Sequence, residues 1–292
     1  MYAYQSEGVV AEEGANPFLE HLPLDTPVYS YNRQCSIESL FPPSSVEDRF
    51  IVVKNFPPDV FSQHEELPRV CDYSRLFQIL IIKMPSGPHE DAANNFNYMI
   101  MALAQDMSVR RQLRSWGSTR VDTPDRRKMA DNGWGPRGPP RRFPTVALEV
   151  GFPGPTAKLE NDIAWWINGS NGDVRIGITI DIQDSDSIEI KSWTAFEPPP
   201  HSNYTTASGR RVVDGGTNDP PPPRVAQRVF FKRGRDGAGP TVEGKGITLP
   251  FRDVLLDTPG EGEGDFVLTS QKLLEDLAEL IWDTIDQVEK MP

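Results

Sequence analysis

The sequence has little cysteine and histidine, no long apolar run and no excess of basic residues. Its two cysteines, Cys35 and Cys71, exclude a disulfide scaffold and a cysteine-rich zinc site. Its four histidines show neither HxH nor HxxxH spacing, which argues against a histidine-built metal centre. No apolar segment reaches the length of a membrane span, and the acidic N-terminus is unlike the basic start of a signal peptide. We therefore expect no membrane association and a reducing compartment, cytoplasmic or nuclear.

Acidic residues outnumber basic ones by 42 to 30, which gives the 292-residue chain a formal net charge of −12. This balance excludes a uniformly basic coat for nucleic acid but allows a local basic patch. Residues 109–142 carry ten arginines and lysines against three aspartates, with Trp116 and Trp134 interleaved. Such segregation of charge predicts contact with a phosphate backbone, whereas a solvated charged loop is the simpler alternative.

Proline and glycine, with 28 and 23 residues, divide the chain into four parts. Residues 1–70 are predicted to form an irregular proline-containing N-terminal arm, and residues 71–197 the core. Residues 198–224 read as a proline-rich flexible insertion. Residues 225–292 are predicted to add edge strands and a C-terminal helix that complete the core.

Hydrophobic periodicity within the core predicts alternating strands and helices. Apolar residues three and four apart predict a helix from His89, a second from about Thr156 and a third after Ser270 as N-cap. Phe143–Gly151 reads as a central strand, and Val174–Ile182 as a strand that pairs with a following hairpin. We therefore predict an α/β (α+β) fold with a central mixed sheet flanked by helices.

Two carboxylates stand out in this pattern. Glu149 is the only charge in the apolar strand Thr145–Val150, and Asp131 lies just before the strand region. A buried carboxylate is costly unless something pairs with it, and a divalent cation is one solution. Two acids from adjacent segments are the minimum for holding Mg²⁺, or Mn²⁺, which can activate water at a phosphodiester.

The run Pro144–Gly151, the helix with Leu159 and Trp165–Trp166, and the strand Val174–Ile182 resemble the restriction-endonuclease-like PD-(D/E)xK superfamily. The resemblance covers roughly residues 72–290 and is closest to the Uma-type branch and its fungal relatives of unassigned activity. It implies a restriction-endonuclease-like core. It also implies that Asp131 and Glu149 are the two metal-binding catalytic acids, with Glu90 as a further helical acid.

The chain departs from this family pattern at the catalytic lysine. Gly151 stands where the motif lysine would follow Glu149, and Asp162 stands where a migrated lysine would fall. Lys158, one turn earlier, is the candidate substitute, with Lys191 as a more distant one. The alternative for Lys158 is an ordinary solvent-facing lysine that pairs weakly with Asp162 at i, i+4. Without a lysine to support charge on the phosphate, such a site would cut slowly or not at all.

Two functions follow from these observations. The first is a Mg²⁺-dependent nuclease acting on DNA or RNA, in which basic side chains position the nucleic-acid backbone. The residues assigned to that contact are Arg126, Arg127, Lys128, Arg141 and Arg142. The second is a catalytically inactive descendant of the same fold that serves as an interaction or scaffold module. A sugar- or nucleotide-processing enzyme finds no glycine-rich phosphate loop and no nucleophile–base pair to support it.

Overall fold

The computed structural model describes residues 6–14, 16–34, 37–40, 47–63, 71–118, 120–154, 156–196, 221–235 and 237–290. The strands of the first half are β1 (Ser6–Val9), β2 (Pro27–Ser30), β3 (Arg49–Lys54), β4 (Cys71–Ser74), β5 (Ile79–Met84), β6 (Leu113–Ser115), β7 (Arg120–Asp122) and β8 (Arg126–Met129). Those of the second half are β9 (Asn132–Pro136), β10 (Val146–Gly151), β11 (Ile176–Ile182), β12 (Ser187–Thr194), β13 (Arg224–Lys232), β14 (Thr241–Glu243), β15 (Gly246–Leu249) and β16 (Phe266–Thr269).

The helices are fewer. They are α1 (Pro58–Gln63), α2 (Gly87–Asp106), α3 (Thr156–Gly169), α4 (Phe251–Leu255), α5 (Ser270–Leu273) and α6 (Glu279–Glu289). A π-helical turn, Leu274–Ala278, joins α5 to α6, and two 3-10 turns lie at Val10–Glu12 and Ile37–Leu40. None of the helices in the described part of the chain is long and apolar enough to cross a bilayer.

The described residues form two seven-stranded sheets. The second, which contains most strands of the second half, is the predicted central mixed sheet and has the order β14-β13-β12-β11-β10-β9-β6. Its central strands β10 and β11 are parallel, and its other pairs are antiparallel. The isoleucines at alternate positions of β11 pack into the core formed with α2 and the C-terminal helix. Helix α3 covers the opposite face. The predicted α/β (α+β) class, with a central mixed sheet flanked by helices, is confirmed.

Close approach of α3 to the sheet depends on a glycine in β11. A Cβ at Gly177 would lie 2.6 Å from Cγ2 of Ile163, so only glycine leaves room for the helix at this distance. Helix α2 begins behind Ser86, whose side chain accepts a hydrogen bond from the backbone N–H of His89. Gly177 thus lets α3 lie close to the sheet, and the Ser86 cap sets where α2 begins.

The first half of the chain forms the first sheet, which is also seven-stranded and has the order β1-β2-β3-β5-β4-β8-β7. The prediction of an irregular arm over residues 1–70 is therefore wrong for the described residues, because three strands of this range pair within the sheet. Each strand is short, and prolines separate them, which hid them from a periodicity argument. Of the predicted insertion at 198–224, residues 198–220 lie outside the described residues.

Candidate functional site

The two sheets meet along a buried row of charged side chains, which we call the seam. It consists of five acids and five bases: Asp48, Asp72, Asp131, Glu149, Asp162, Lys83, His89, Arg126, Lys128 and Lys158. The first sheet and its flanking loops supply Lys83, Lys128, Arg126, Asp72 and Asp48. The second sheet and its helices supply the other five. The seam therefore contains both acids that the sequence singled out.

Asp131 lies in the loop between β8 and β9, and its side chain is only 2% exposed. Its Oδ2 accepts hydrogen bonds from Lys83 Nζ at 2.9 Å and from the backbone N–H of Val150 at 2.7 Å. Its Oδ1 lies 3.2 Å from His89 Nε2. Burial opposes ionisation, but the charges of Lys83 and His89 outweigh it and hold the pKa of Asp131 well below its usual range.

His89, in the first turn of α2, connects Asp131 to Asp48. Its Nδ1 lies 2.8 Å from Asp48 Oδ2, which also accepts a hydrogen bond from the backbone N–H of Phe152 at 3.1 Å. Burial and the charge of Lys83 oppose protonation of the ring. Asp131 and Asp48 outweigh both and raise the pKa of His89 to about 9. His89 is therefore an imidazolium at neutral pH, held between two carboxylates.

Glu149, in the middle of β10, faces α3 rather than the opposite core. Its Oε1 accepts a hydrogen bond from Trp166 Nε1 at 2.6 Å and lies 3.4 Å from Lys128 Nζ. Burial raises the pKa of Glu149 to about 7 against the lowering effect of Lys128, and the charges of Asp162 and Asp131 add to the rise. Lys128 and Trp166 thus offset part of the cost of burying Glu149, and protonation removes the rest, so its burial by itself does not call for a divalent ion.

Most of the remaining cationic side chains of the seam lie close to Asp162 of α3. Lys128 Nζ lies 2.9 Å from its Oδ1, Arg126 lies 3.6 Å from the same oxygen, and Lys158 pairs with Oδ2 one helical turn away. Arg126 also donates to both oxygens of Asp72. Burial is overcome by these cations, which lower the pKa of Asp162. Each carboxylate of the seam is ionically paired within the chain.

Of the other predicted site residues, the structure brings Lys158 into the seam and leaves Glu90 and Lys191 outside it. Lys158 makes the i, i+4 pair with Asp162, but it is buried in the seam rather than solvent-facing, and it lines the same cavity as Glu149. Glu90 is exposed on α2, so it does not join the two acids as the predicted helical Glu. Lys191 pairs with Glu189 and Glu160, outside the seam. The residue that α2 does direct into the seam is His89, the immediate neighbour of Glu90.

The predicted phosphate-binding residues are also largely committed to contacts within the chain. The side chains of Lys128 and Arg126 are only 4% and 15% exposed, and both face the seam. Their predicted role as surface contacts for a phosphate backbone is therefore corrected. Arg127 pairs with Asp122, and Arg141 pairs with Asp173. Arg142 is exposed but donates to the backbone carbonyl of Asp122.

Arginines at the edge strand β6 remain available at the surface. Arg111, Arg114 and Arg137 are exposed, and none forms an ion pair with a described residue. The backbone N–H of Arg137 donates to the carbonyl of Gln112 at 2.5 Å, which brings these arginines to one edge of the second sheet. The guanidinium of Arg114 lies over the Trp116 ring at 4.7 Å. These three arginines are therefore accessible at the surface, as is Arg120 at the start of β7.

The seam leaves little room for a metal ion. Two cavities beside it have volumes of about 20 Å³ each, enough for about one water, and Lys83, Lys158 and Asp162 line both. Within the described residues, no group of three histidine, cysteine or acidic side chains is arranged to hold a metal. The carboxylates needed as ligands already contact lysine or histidine. In this arrangement the residues do not fit Mg²⁺ or Mn²⁺.

Comparisons with known proteins give only a weak similarity to solved structures. No family model matches the chain, and no curated protein matches it. One solved structure, described as a "putative nuclease" of the DUF820 family from Anabaena variabilis, is similar over 48% of this chain and 88% of its own. The identity is 16% and the TM-score 0.37. Any statement about activity therefore depends on the geometry of the seam itself.

Proposed function

We propose that this chain is a non-catalytic descendant of the PD-(D/E)xK fold that binds nucleic acid without hydrolysing it. The observation that carries the proposal is the charge balance of the seam. Asp131 and Glu149, the two acids of the nuclease prediction, are buried and neutralised by Lys83, His89 and Lys128. A phosphodiester would have to displace buried ion pairs to reach them, and removing one partner of such a pair costs about 3–5 kcal/mol.

The binding surface in this proposal is the edge of β6, with Arg111, Arg114 and Arg137. Exposed guanidinium groups pair with phosphate oxygens, and the stacked Arg114–Trp116 pair offers an aromatic face beside them. Such contacts provide affinity without reading base sequence. Membership of the Uma-type branch and the reducing compartment remain predictions.

The test measures cleavage and binding together. Plasmid and single-stranded DNA are incubated with the wild type and with Glu149→Gln, in Mg²⁺ or Mn²⁺. We expect no cleavage above the buffer control by either protein. Metal-dependent nicking by the wild type that is lost in Glu149→Gln would contradict the non-catalytic proposal.

Binding of single-stranded DNA is then measured against salt concentration. Replacing Arg111, Arg114 and Arg137 with glutamine is expected to reduce the slope of log K against log salt by about 2, because each lost phosphate contact removes about 0.7 from it. The matched control replaces three exposed arginines elsewhere, Arg175, Arg224 and Arg252. Equal slopes for the two triple variants would remove β6 as the binding surface.

The second candidate is the metal-dependent nuclease of the sequence analysis. One observation favours it: Asp131 and Glu149 are close enough for the charge of Asp131 to raise the pKa of Glu149. In that case metal binding would require the seam to open. Nicking that depends on Glu149 is the result that would select this candidate.

A further inference from the structure

The ammonium of Lys83 is surrounded by oxygen atoms. It donates to Asp131 Oδ2 at 2.9 Å and to the backbone carbonyl of Val150 at 2.6 Å. The negative charges of Asp48 and Glu149 also act on it. Lys83 stands at the end of β5, in the sheet formed by the first half of the chain, and its side chain is 11% exposed. A single positive charge thus lies among carboxylate and carbonyl oxygens.

Carboxylate and backbone carbonyl oxygens are also the ligands that hard divalent cations take. We propose that the Lys83 ammonium stands in for a divalent cation between Asp131 and the Val150 carbonyl, beside a cavity that Glu149 also lines, and that removing this lysine creates a site for Mn²⁺ or Mg²⁺. The lysine would then be the reason why the two acids do not bind metal in the wild type. The inference concerns cation binding alone and does not depend on nucleic-acid binding at β6.

Lys83 fits this role better than Lys128. Lys128 contacts carboxylates alone, and Asp162 would keep Lys158 and Arg126 if Lys128 were removed. Without Lys83, Asp131 would keep one cation, His89, which contacts Oδ1. Its Oδ2 and the Val150 carbonyl would then lose their shared positive partner. A buried carboxylate oxygen that has lost its counter-charge favours capture of a cation from solution.

The experiment uses Mn²⁺ as the probe and the full chain, without nucleic acid. Metal uptake is measured from the loss of the paramagnetic signal of free Mn²⁺, and stability from thermal unfolding. The wild type is expected to take up no Mn²⁺ at the seam and to keep its unfolding midpoint. Lys83→Met is expected to bind one equivalent and to gain about 5 °C or more when Mn²⁺ exceeds Kd 100-fold.

The control is the double variant Lys83→Met/Asp131→Asn, which lacks the lysine and also the central carboxylate, and it should take up no Mn²⁺. If Lys83→Met folds only when Mn²⁺ is present, coupled binding and folding supports the proposal. If it folds under neither condition, Lys83→Gln, which keeps a neutral donor for Val150, decides. A folded variant without Mn²⁺ uptake overturns the proposal, and so does one equivalent bound by the wild type but not by Asp131→Asn.

Discussion

His89 makes the stability of this protein depend on pH above neutrality. The folded chain holds the imidazolium between Asp48 and Asp131 with a pKa of about 9, against 6.5 for an ordinary histidine. A proton that the folded state binds more tightly than the unfolded state stabilises the folded state. The contribution is therefore fully present below pH 6.5 and is lost as the pH rises through 9.

The magnitude follows from the two pKa values. Each pKa unit corresponds to about 1.4 kcal/mol, so the full contribution below pH 6.5 is about 3 kcal/mol. Between pH 7 and pH 9 the wild type should lose about 2 kcal/mol of unfolding free energy from this group. Glu149, with a pKa raised by burial to about 7, adds a further fall between about pH 4.5 and 7, below most of this window.

The assay is urea unfolding at steps between pH 7 and 9, for the wild type and His89→Asn. The variant is less stable at pH 7 but should have a flatter pH dependence, because the titrating group is gone. His21→Asn, which removes a histidine outside the seam, serves as the matched control and should keep the wild-type slope. Equal slopes for His89→Asn and the wild type, or a wild-type stability that rises with pH, would refute the reasoning.

Two substitutions test the remaining contacts of the seam. Asp162→Asn leaves Lys128 and Lys158 without their main counter-charge, so we expect a loss of about 3–5 kcal/mol of unfolding free energy. The control, Asp173→Asn, breaks a half-exposed pair with Arg141 and should lower the unfolding free energy by less than about 1 kcal/mol. Trp166→Phe removes the donor to Glu149 and should cost about 2 kcal/mol at pH 8, less below pH 7 where Glu149 is protonated. The control, Trp193→Phe, removes a donor to the neutral Thr179 hydroxyl and should cost about 1 kcal/mol without that pH dependence. Denaturant unfolding measures all four, and equal costs within either pair would contradict the assigned contacts.

The second sheet and its helices could be predicted because their signals are local. The start of α3 at Thr156 is confirmed by the structure. The prediction of Ser270 as the N-cap of the last helix is wrong by one residue, because α5 begins at Ser270 and Thr269 is its N-cap. The strand predicted at Val174–Ile182 forms as Ile176–Ile182 and pairs with the predicted hairpin. Apolar residues at helical spacing and apolar residues at alternate positions specify these helices and strands from neighbouring residues alone.

The first sheet and the seam could not be predicted, because their signals are long-range. Lys83 is a single basic residue at the end of an apolar strand, in the same way that Glu149 is a single acid in one, but no spacing rule connects the two. Pairing between strands far apart in sequence decides which charges meet. Residues 109–142 carry ten basic residues against three aspartates, yet Lys128 and Arg126 neutralise internal acids instead of an external polyanion.

Asp48 contacts the backbone of Phe152 across 104 residues of sequence, and Thr145 donates to the carbonyl of Val254 across 109. Neither hydrogen bond can form until the later of its two residues has been synthesised and has left the ribosome. A nascent chain shorter than about 150 residues holds Asp48 without this backbone partner. The strands of the first sheet pair among themselves within residues 6–129, whereas the seam is complete only once Asp162 has been synthesised.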